Sequence, residues 1–299
     1  MKIKELEFLV PWGHIAAKTW GDDKNKLVLM LHGASDNAGS FDRLIPFLPA
    51  HFYYVCLDLP GHGKSSHFPK DTLVQDMNII MSLKIVIDTL NAKKIILIGH
   101  SWGGQTACLF TQLYPEFIEK LVIIESVCYA PISIEYFKQF TTEYIKDAIN
   151  ILEKAANSSP PTYTYENALE VIMNGRIYGK LNKEAAKAIA QRSLKKVDND
   201  QYVITNDVRN RIRYCFFLDK GYVEKLFETH LITCPVLFLF ARYSIPLRDY
   251  YKNILTQVKR TNKKCIIKEL LGDHDMHNNT PELVAPEINN FLNTFNSNL

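Results

Sequence analysis

Three residue types dominate any reading of this chain as a catalyst: one serine, one histidine and one glutamate, each at the end of an apolar run. Gly99-His100-Ser101-Trp102-Gly103-Gly104 follows the β-branched stretch Lys94–Ile98, and helical sequence from Gln105 to Tyr114 comes after it. The strand, G-x-S-x-G and helix in succession describe a nucleophile elbow. A sharp strand-to-helix turn crowds the backbone on both sides of Ser101, which accounts for glycine at 99 and 103. The helix beginning at Trp102 directs its positive end at the same place.

A serine hydroxyl needs a base before it is a useful nucleophile. His274 is the candidate base, in the loop after the apolar run Cys265–Leu270, with His277 as a rival. Ligands of open α/β sheets bind at the carboxyl ends of strands, where such a loop lies. His32, His62 and His100 sit within glycine turns, which suits structural roles. Acyl transfer also requires donors for an oxyanion. The backbone N–H groups of Trp102 and of Ala34, in His32-Gly33-Ala34 after the run Lys26–Leu31, are the candidates. Trp102 is also expected beside the substrate. A carboxylate must then orient the base. Glu125 follows the apolar run Glu119–Ile124 and is the expected acid, although a glutamate there could also simply cap the strand and face water.

The elements that must position these groups alternate. Leu6–Val10 and His14–Trp20 read as an antiparallel pair around Pro11-Trp12-Gly13. Strands are expected at 26–31, 52–59, 94–98, 119–124, 235–240 and 265–270. Helices are expected at 41–48, 71–90, 105–114, 246–258 and 281–295. This rhythm predicts an α/β fold, a mostly parallel twisted sheet of about eight strands with helices on both faces. Residues 129–228 break it, being helical and polar with amphipathic stretches at 146–156, 166–173 and 183–194. They are expected to form an inserted helical cap (lid) on a core built from 1–128 and 229–299. Tyr136, Phe137, Phe140, Tyr163, Tyr178, Tyr214, Phe216 and Phe217 could line its underside.

The 299 residues carry a net charge of +3 from 35 basic and 32 acidic side chains, with no long run of one sign. That balance offers no case for nucleic acid as a partner. Six cysteines are scattered without a C-x-x-C, so free buried thiols are expected rather than disulfides or a metal site. No apolar run is long enough to span a bilayer, and no signal peptide is visible. The expectation is an intracellular, cytoplasmic protein without cofactor or metal, acting on a small apolar ester-type substrate. Ser297-Asn298-Leu299 offers the peroxisome as an alternative, with asparagine in place of the usual basic residue. Nothing in the composition specifies an oligomeric state.

The elbow, His32-Gly33, Asp58-Leu59-Pro60-Gly61-His62-Gly63-Lys64-Ser65 and Gly272-Asp273-His274 together resemble the α/β-hydrolase superfamily. Val10–Lys18, Asp36-Asn37-Ala38, Ser40–Pro46 and Phe52–Val55 are similar to the animal serine hydrolase-like group within it. The resemblance implies a metal-free serine hydrolase with a helical lid, of the carboxylesterase kind, and no particular substrate. In most such proteins the acid is an aspartate in the turn after the strand at 235–240. That turn here is Ala241-Arg242-Tyr243-Ser244-Ile245-Pro246, and Asp249 comes later. Glu125 keeps the order nucleophile, acid, base. The Gly-x-x-Trp-Gly pattern also resembles haloalkane dehalogenases, but Ser101 and Ala34 replace their aspartate nucleophile and polar halide-binding residue. A binding protein of the same fold with little turnover is the competing expectation.

Overall fold

The computed structural model describes residues 1–157, 159–212 and 219–295. The chain opens with β1 (Ile3–Val10) and β2 (Gly13–Trp20), an antiparallel hairpin, followed by β3 (Lys26–Leu31) and β4 (Phe52–Leu57). Then come α1 (Asp76–Leu90), β5 (Ile95–His100), α2 (Trp102–Leu113) and β6 (Ile118–Ile124). The inserted segment holds α3 (Phe137–Asn157), α4 (Tyr165–Asn174), α5 (Lys183–Ser193), β7 (Leu194–Asp198), β8 (Gln201–Ile204) and α6 (Lys220–Thr229). The chain returns to the sheet with β9 (Val236–Ala241), the short α7 (Leu247–Tyr250), α8 (Lys252–Thr261) and β10 (Cys265–Leu270). It closes with α9 (Met276–Asn279) and α10 (Pro281–Asn293).

The main sheet has eight strands in the order β1-β2-β4-β3-β5-β6-β9-β10. From β4 to β10 every neighbouring pair is parallel, whereas β2 meets β4 antiparallel. The central strands are apolar over most of their length because both of their faces are covered. Leu29, Leu97, Leu121 and Phe238 face one layer, packed with Val86 of α1, Phe110 of α2, Phe227 of α6 and Leu255 of α8. Their neighbours Met30, Ile98, Val122 and Leu237 face the other, packed with Phe41, Ile288 and Phe291. The period of two along each strand therefore divides the core between two layers.

Several elements differ from the sequence expectation: the helix expected at 246–258 is broken at Tyr251 into α7 and α8, and the helix expected at 146–156 starts earlier, at Phe137. The helix expected at 41–48 is instead two 3₁₀ turns, Ala38–Phe41 and Ile45–Phe47. Asn37 accepts the Gly39 N–H to start the first turn, and Pro46 cannot donate within the second. Helix α1 starts at Asp76, five residues after the expected start, where Gln75 and Asn78 form a reciprocal cap. Within the insertion, β7 and β8 form a hairpin, with Asp200 at φ 56° in its turn. Val197, Tyr202, Val203 and Ile204 favour strand there, in two runs too short for a strand signal in the sequence.

Five cysteines, Cys56, Cys108, Cys128, Cys234 and Cys265, are free and buried; Cys215 lies outside the described residues, as does the Ser297-Asn298-Leu299 end. Among the described residues no helix is long and apolar enough to cross a membrane.

Candidate active site

Ser101 occupies the junction of β5 and α2 with φ 51° and ψ −117°, a conformation that an L-residue holds only under constraint. Its N–H is fixed to Ile124 O at 2.8 Å. A Cβ on Gly99 would sit 2.4 Å from Gly103 O, and one on Gly103 would sit 2.2 Å from Leu31 O. Backbone lies where those side chains would be, so only glycine fits either position.

The Ser101 Oγ lies 3.0 Å from His274 Nε2, and His274 Nδ1 lies 3.0 Å from Glu125 Oε2. A carboxylate only accepts, so Nδ1 carries the ring proton and Nε2 is left to accept from the serine hydroxyl. Glu125 is 1% exposed and has φ 55°. Its N–H continues the sheet ladder to Leu239 O at 2.8 Å, and its Oε1 accepts the Ala241 N–H at 2.5 Å. The end of β9 thus holds both the backbone and the side chain of a residue that follows β6. The alternative in which Glu125 faces water does not apply. Ser244, in the turn after β9, has a buried hydroxyl without a partner, and Asp249 is exposed on α7.

The glycine-turn histidines brace the surrounding loops. His32 donates from Nδ1 to Gly33 O at 2.7 Å and accepts the Leu59 N–H at Nε2, 2.9 Å away. Burial, reinforced by His62, pushes its pKa down to about 3, so it stays neutral. His62 Nε2 donates to Ala34 O at 2.8 Å, which fixes the turn bearing the Ala34 N–H. His100 Nε2 donates to the backbone oxygen of His274 at 2.8 Å. His277 is fully buried, its ring tilted 33° to that of His100 at 3.9 Å between ring centres, and its two ring nitrogens have no partner. It is not in contact with Ser101 as a rival base. Trp102 is buried and its indole N–H donates to Asp76 Oδ1 at 2.9 Å.

A cavity of about 120 Å³ opens above Ser101, with His274, Ala34 and Trp102 in its wall. The lining is mixed rather than apolar: Ser35, Gln105 and Arg176 stand beside Ile177 and Tyr178. Of the eight aromatic residues expected under the insertion, Tyr178 reaches the cavity. Tyr136, Phe137 and Phe140 are exposed, and Tyr163 pairs through its backbone with Tyr202. Tyr214, Phe216 and Phe217 lie outside the described residues. Sequence reasoning missed Gln105, one turn into α2, and Arg176, for which no motif gives a signal.

Among the described residues, Asp36, His100 and His277 bring ligand-type atoms within 4.8 Å of one another behind the cavity. The other oxygen of Asp36 is already held by the Arg176 guanidinium. A divalent cation would place two further charges beside that arginine, which disfavours a metal there.

The α/β-hydrolase-fold family profile matches residues 26–266, and the chain belongs to that family. It is 30% identical over 292 residues to a serine hydrolase-like protein of Danio rerio, covering 96% of this chain and 88% of that one. It is also 30% identical over 300 residues to serine hydrolase-like protein 2 of Homo sapiens, covering 97% and 94%. A solved structure of a hypothetical protein from Pseudomonas aeruginosa superposes with a TM-score of 0.80 at 26% identity, covering 96% of this chain and 97% of that one.

Proposed function

We propose that the protein is a serine hydrolase that cleaves a carboxylic ester or a related acyl bond through an acyl-enzyme. The reading is carried by the hydrogen-bonded chain Ser101 Oγ, His274, Glu125, with both links at 3.0 Å. In this reading Ser101 Oγ attacks the acyl carbon while His274 Nε2 takes its proton. The N–H groups of Ala34 and Trp102 receive the oxyanion. His274 then gives the proton to the departing alcohol oxygen, and Ser101 keeps the acyl group. Water repeats the sequence, releasing the acid and restoring Ser101. Glu125 holds the imidazole and offsets its charge when protonated.

Residues 129–228 act in this scheme as the cap over a core of 1–128 and 229–299. The names of the zebrafish and human relatives support the serine hydrolase class. A cavity of about 120 Å³ suits a short acyl chain.

The experiment is covalent labelling with a fluorophosphonate followed by peptide mapping, with turnover of p-nitrophenyl acetate measured in parallel. The adduct is expected on Ser101 and is expected to be absent from Ser101→Ala. Folded protein that stays unlabelled would overturn the reading. Labelling without ester turnover would favour a binding protein of the same fold.

A further inference from the structure

The insertion reaches the cavity through three consecutive residues, Arg176, Ile177 and Tyr178. Gly175 closes α4 just before them, and Gly179, at φ 72°, follows them. Arg176 leaves this strap and passes into the core. Its Nη1 donates to Asp36 Oδ1, its Nη2 to Asp275 Oδ1, and its Nε to Asp275 Oδ2 at 3.3 Å. The three side chains are 6%, 1% and 1% exposed.

The two carboxylates belong to different loops. Asp36 lies two residues beyond Ala34, and its N–H closes the turn onto Gly33 O at 3.1 Å. Asp275 directly follows His274, and its backbone oxygen accepts the N–H groups of Asn278 and Asn279 at 2.8 Å each. One planar guanidinium therefore spans the loop that carries an oxyanion donor and the loop that carries the base. The planar fork matches two carboxylates in fixed orientation, which a lysine ammonium does not do.

Neighbouring contacts strengthen the same span. His100 donates to His274 O at 2.8 Å, and its Nδ1 lies 3.6 Å from Asp36 Oδ2. Burial by itself would raise the Asp36 carboxyl, but Arg176 and His100 hold it well below its ordinary value. The charges of the two aspartates are thus met by Arg176 and by His100, whose own pKa is raised by Asp36 and Asp275 against the opposing effect of burial. Beyond the anchor, the Tyr178 ring stands edge-on to His274 at 5.0 Å between centres.

We propose that Arg176 is a positioning residue of this site, supplied by the insertion, which sets the distance between the Ala34 turn and His274 by bridging Asp36 and Asp275. The inference rests on the serine hydrolase reading. Arg176 acts through the two loops and takes no proton. A displacement of about 1 Å between reacting groups costs roughly 10²-fold in rate, which sets the effect to look for.

The test is the rate of fluorophosphonate labelling of the full chain, resolved into kinact and KI, with folding followed by thermal melting. Arg176→Ala is expected to lower kinact about 10²-fold with KI changed less than about threefold. Arg176→Lys, which can reach one carboxylate but not hold two, is expected to fall between them. Methylguanidinium at millimolar concentration is expected to restore about tenfold of the loss in Arg176→Ala, whereas ethylammonium at equal ionic strength restores none.

Because Arg176→Ala leaves the buried Asp275 without its cation and Asp36 with His100 alone, a second variant removes the charges together: Arg176→Met with Asp36→Asn and Asp275→Asn. This variant is expected to fold and to label slowly. Either variant, folded and within twofold of the wild-type kinact, would overturn the proposal. So would a loss that methylguanidinium fails to restore in folded Arg176→Ala, since that marks a purely structural role. If the wild-type protein itself is not labelled on Ser101, the hydrolase reading falls and this inference with it. Labelling of wild type with equal labelling of the variants rejects the inference alone.

Discussion

Glu125 and Ala241 are joined by a 2.5 Å hydrogen bond from the Ala241 N–H to Glu125 Oε1. The bond fastens the candidate acid, which follows β6, to the end of β9. The remaining oxygen, Oε2, is left for His274. A glutamate is longer by one methylene than the aspartate expected after β9, and it reaches His274 from the adjacent strand.

Glu125→Gln is therefore expected to lower kcat by roughly 10³–10⁴-fold on a p-nitrophenyl ester while the protein stays folded. Asp249→Asn, on the exposed face of α7, is expected to change kcat by less than about tenfold. The opposite ranking in steady-state kinetics would move the acid to the later turn.

The elbow glycines make a stability prediction. A Cβ added to Gly103 would meet Leu31 O at 2.2 Å and His32 O at 2.6 Å, so backbone must move. Gly103→Ala is expected to cost about 1–3 kcal/mol or more and to lower Tm by several degrees. At Gly179 a Cβ meets nothing within 4 Å among the described residues, and only the left-handed φ of 72° opposes it. Gly179→Ala should cost about 1 kcal/mol. Differential scanning calorimetry on both variants would refute the steric account if the order were reversed.

Arg192 ties the insertion to the core at a second place. Its Nη2 lies 2.7 Å from Asp58 Oδ2, its Nε is 3.1 Å from both Asp58 oxygens, and its Nη1 reaches Glu5 at 2.6 Å. Asp58 is fully buried, and Arg192→Met would leave it unpaired. A loss of about 3–5 kcal/mol is expected in urea unfolding. Adding Asp58→Asn should recover part of that loss, since the buried charge is gone, although the single amide oxygen can accept from only one of the Ala38 and Lys64 N–H groups. Additive effects of the two changes would contradict the pairing.

Stability should fall as pH drops from 7 towards 5. Burial keeps His277 well below its ordinary pKa, with the His100 charge adding to the effect and Asp36 opposing it, and it brings His32 to about 3. In the unfolded chain both titrate near about 6.5. Below that pH the unfolded state binds protons that the folded state refuses, so unfolding gains. His100 has the opposite sign: its raised value stabilises the fold below about pH 6.5, and that contribution is lost as pH rises through the folded pKa. His277→Leu removes one refused proton together with two unpartnered ring nitrogens. Its unfolding free energy, from urea titrations between pH 7 and 5, should depend less steeply on pH, by up to about 1.4 kcal/mol per unit. An unchanged slope would show that His277 titrates normally in the folded protein.

Much of the architecture was legible because it rests on local pattern. The apolar runs at 26–31, 118–124 and 236–241 are strands buried on both faces, and such strands need no partner to be recognised. The elbow was legible for a steric reason, since glycine at 99 and 103 is dictated by backbone packed directly against it. The hairpin at 194–204 was not, because a four-residue strand on a polar segment scarcely differs from a loop in composition.

By itself the sequence determined which residue types were available at the strand ends: Ser101, Glu125, His274, and the turn bearing Ala34. It left Glu125 and Asp249 in competition, because an acid's role depends on where its carboxyl points, and direction is not a property of spacing along the chain. Tertiary structure set the direction of the Glu125 carboxyl by placing β9 beside β6, so that Leu239 O and the Ala241 N–H hold Glu125 towards His274. It alone brought Arg176 to Asp36 and Asp275, across separations of 140 and 99 residues. Such contacts carry no local signature. A lone arginine in a loop has the same appearance in sequence whether it meets water or two buried carboxylates, and only the folded chain distinguishes them.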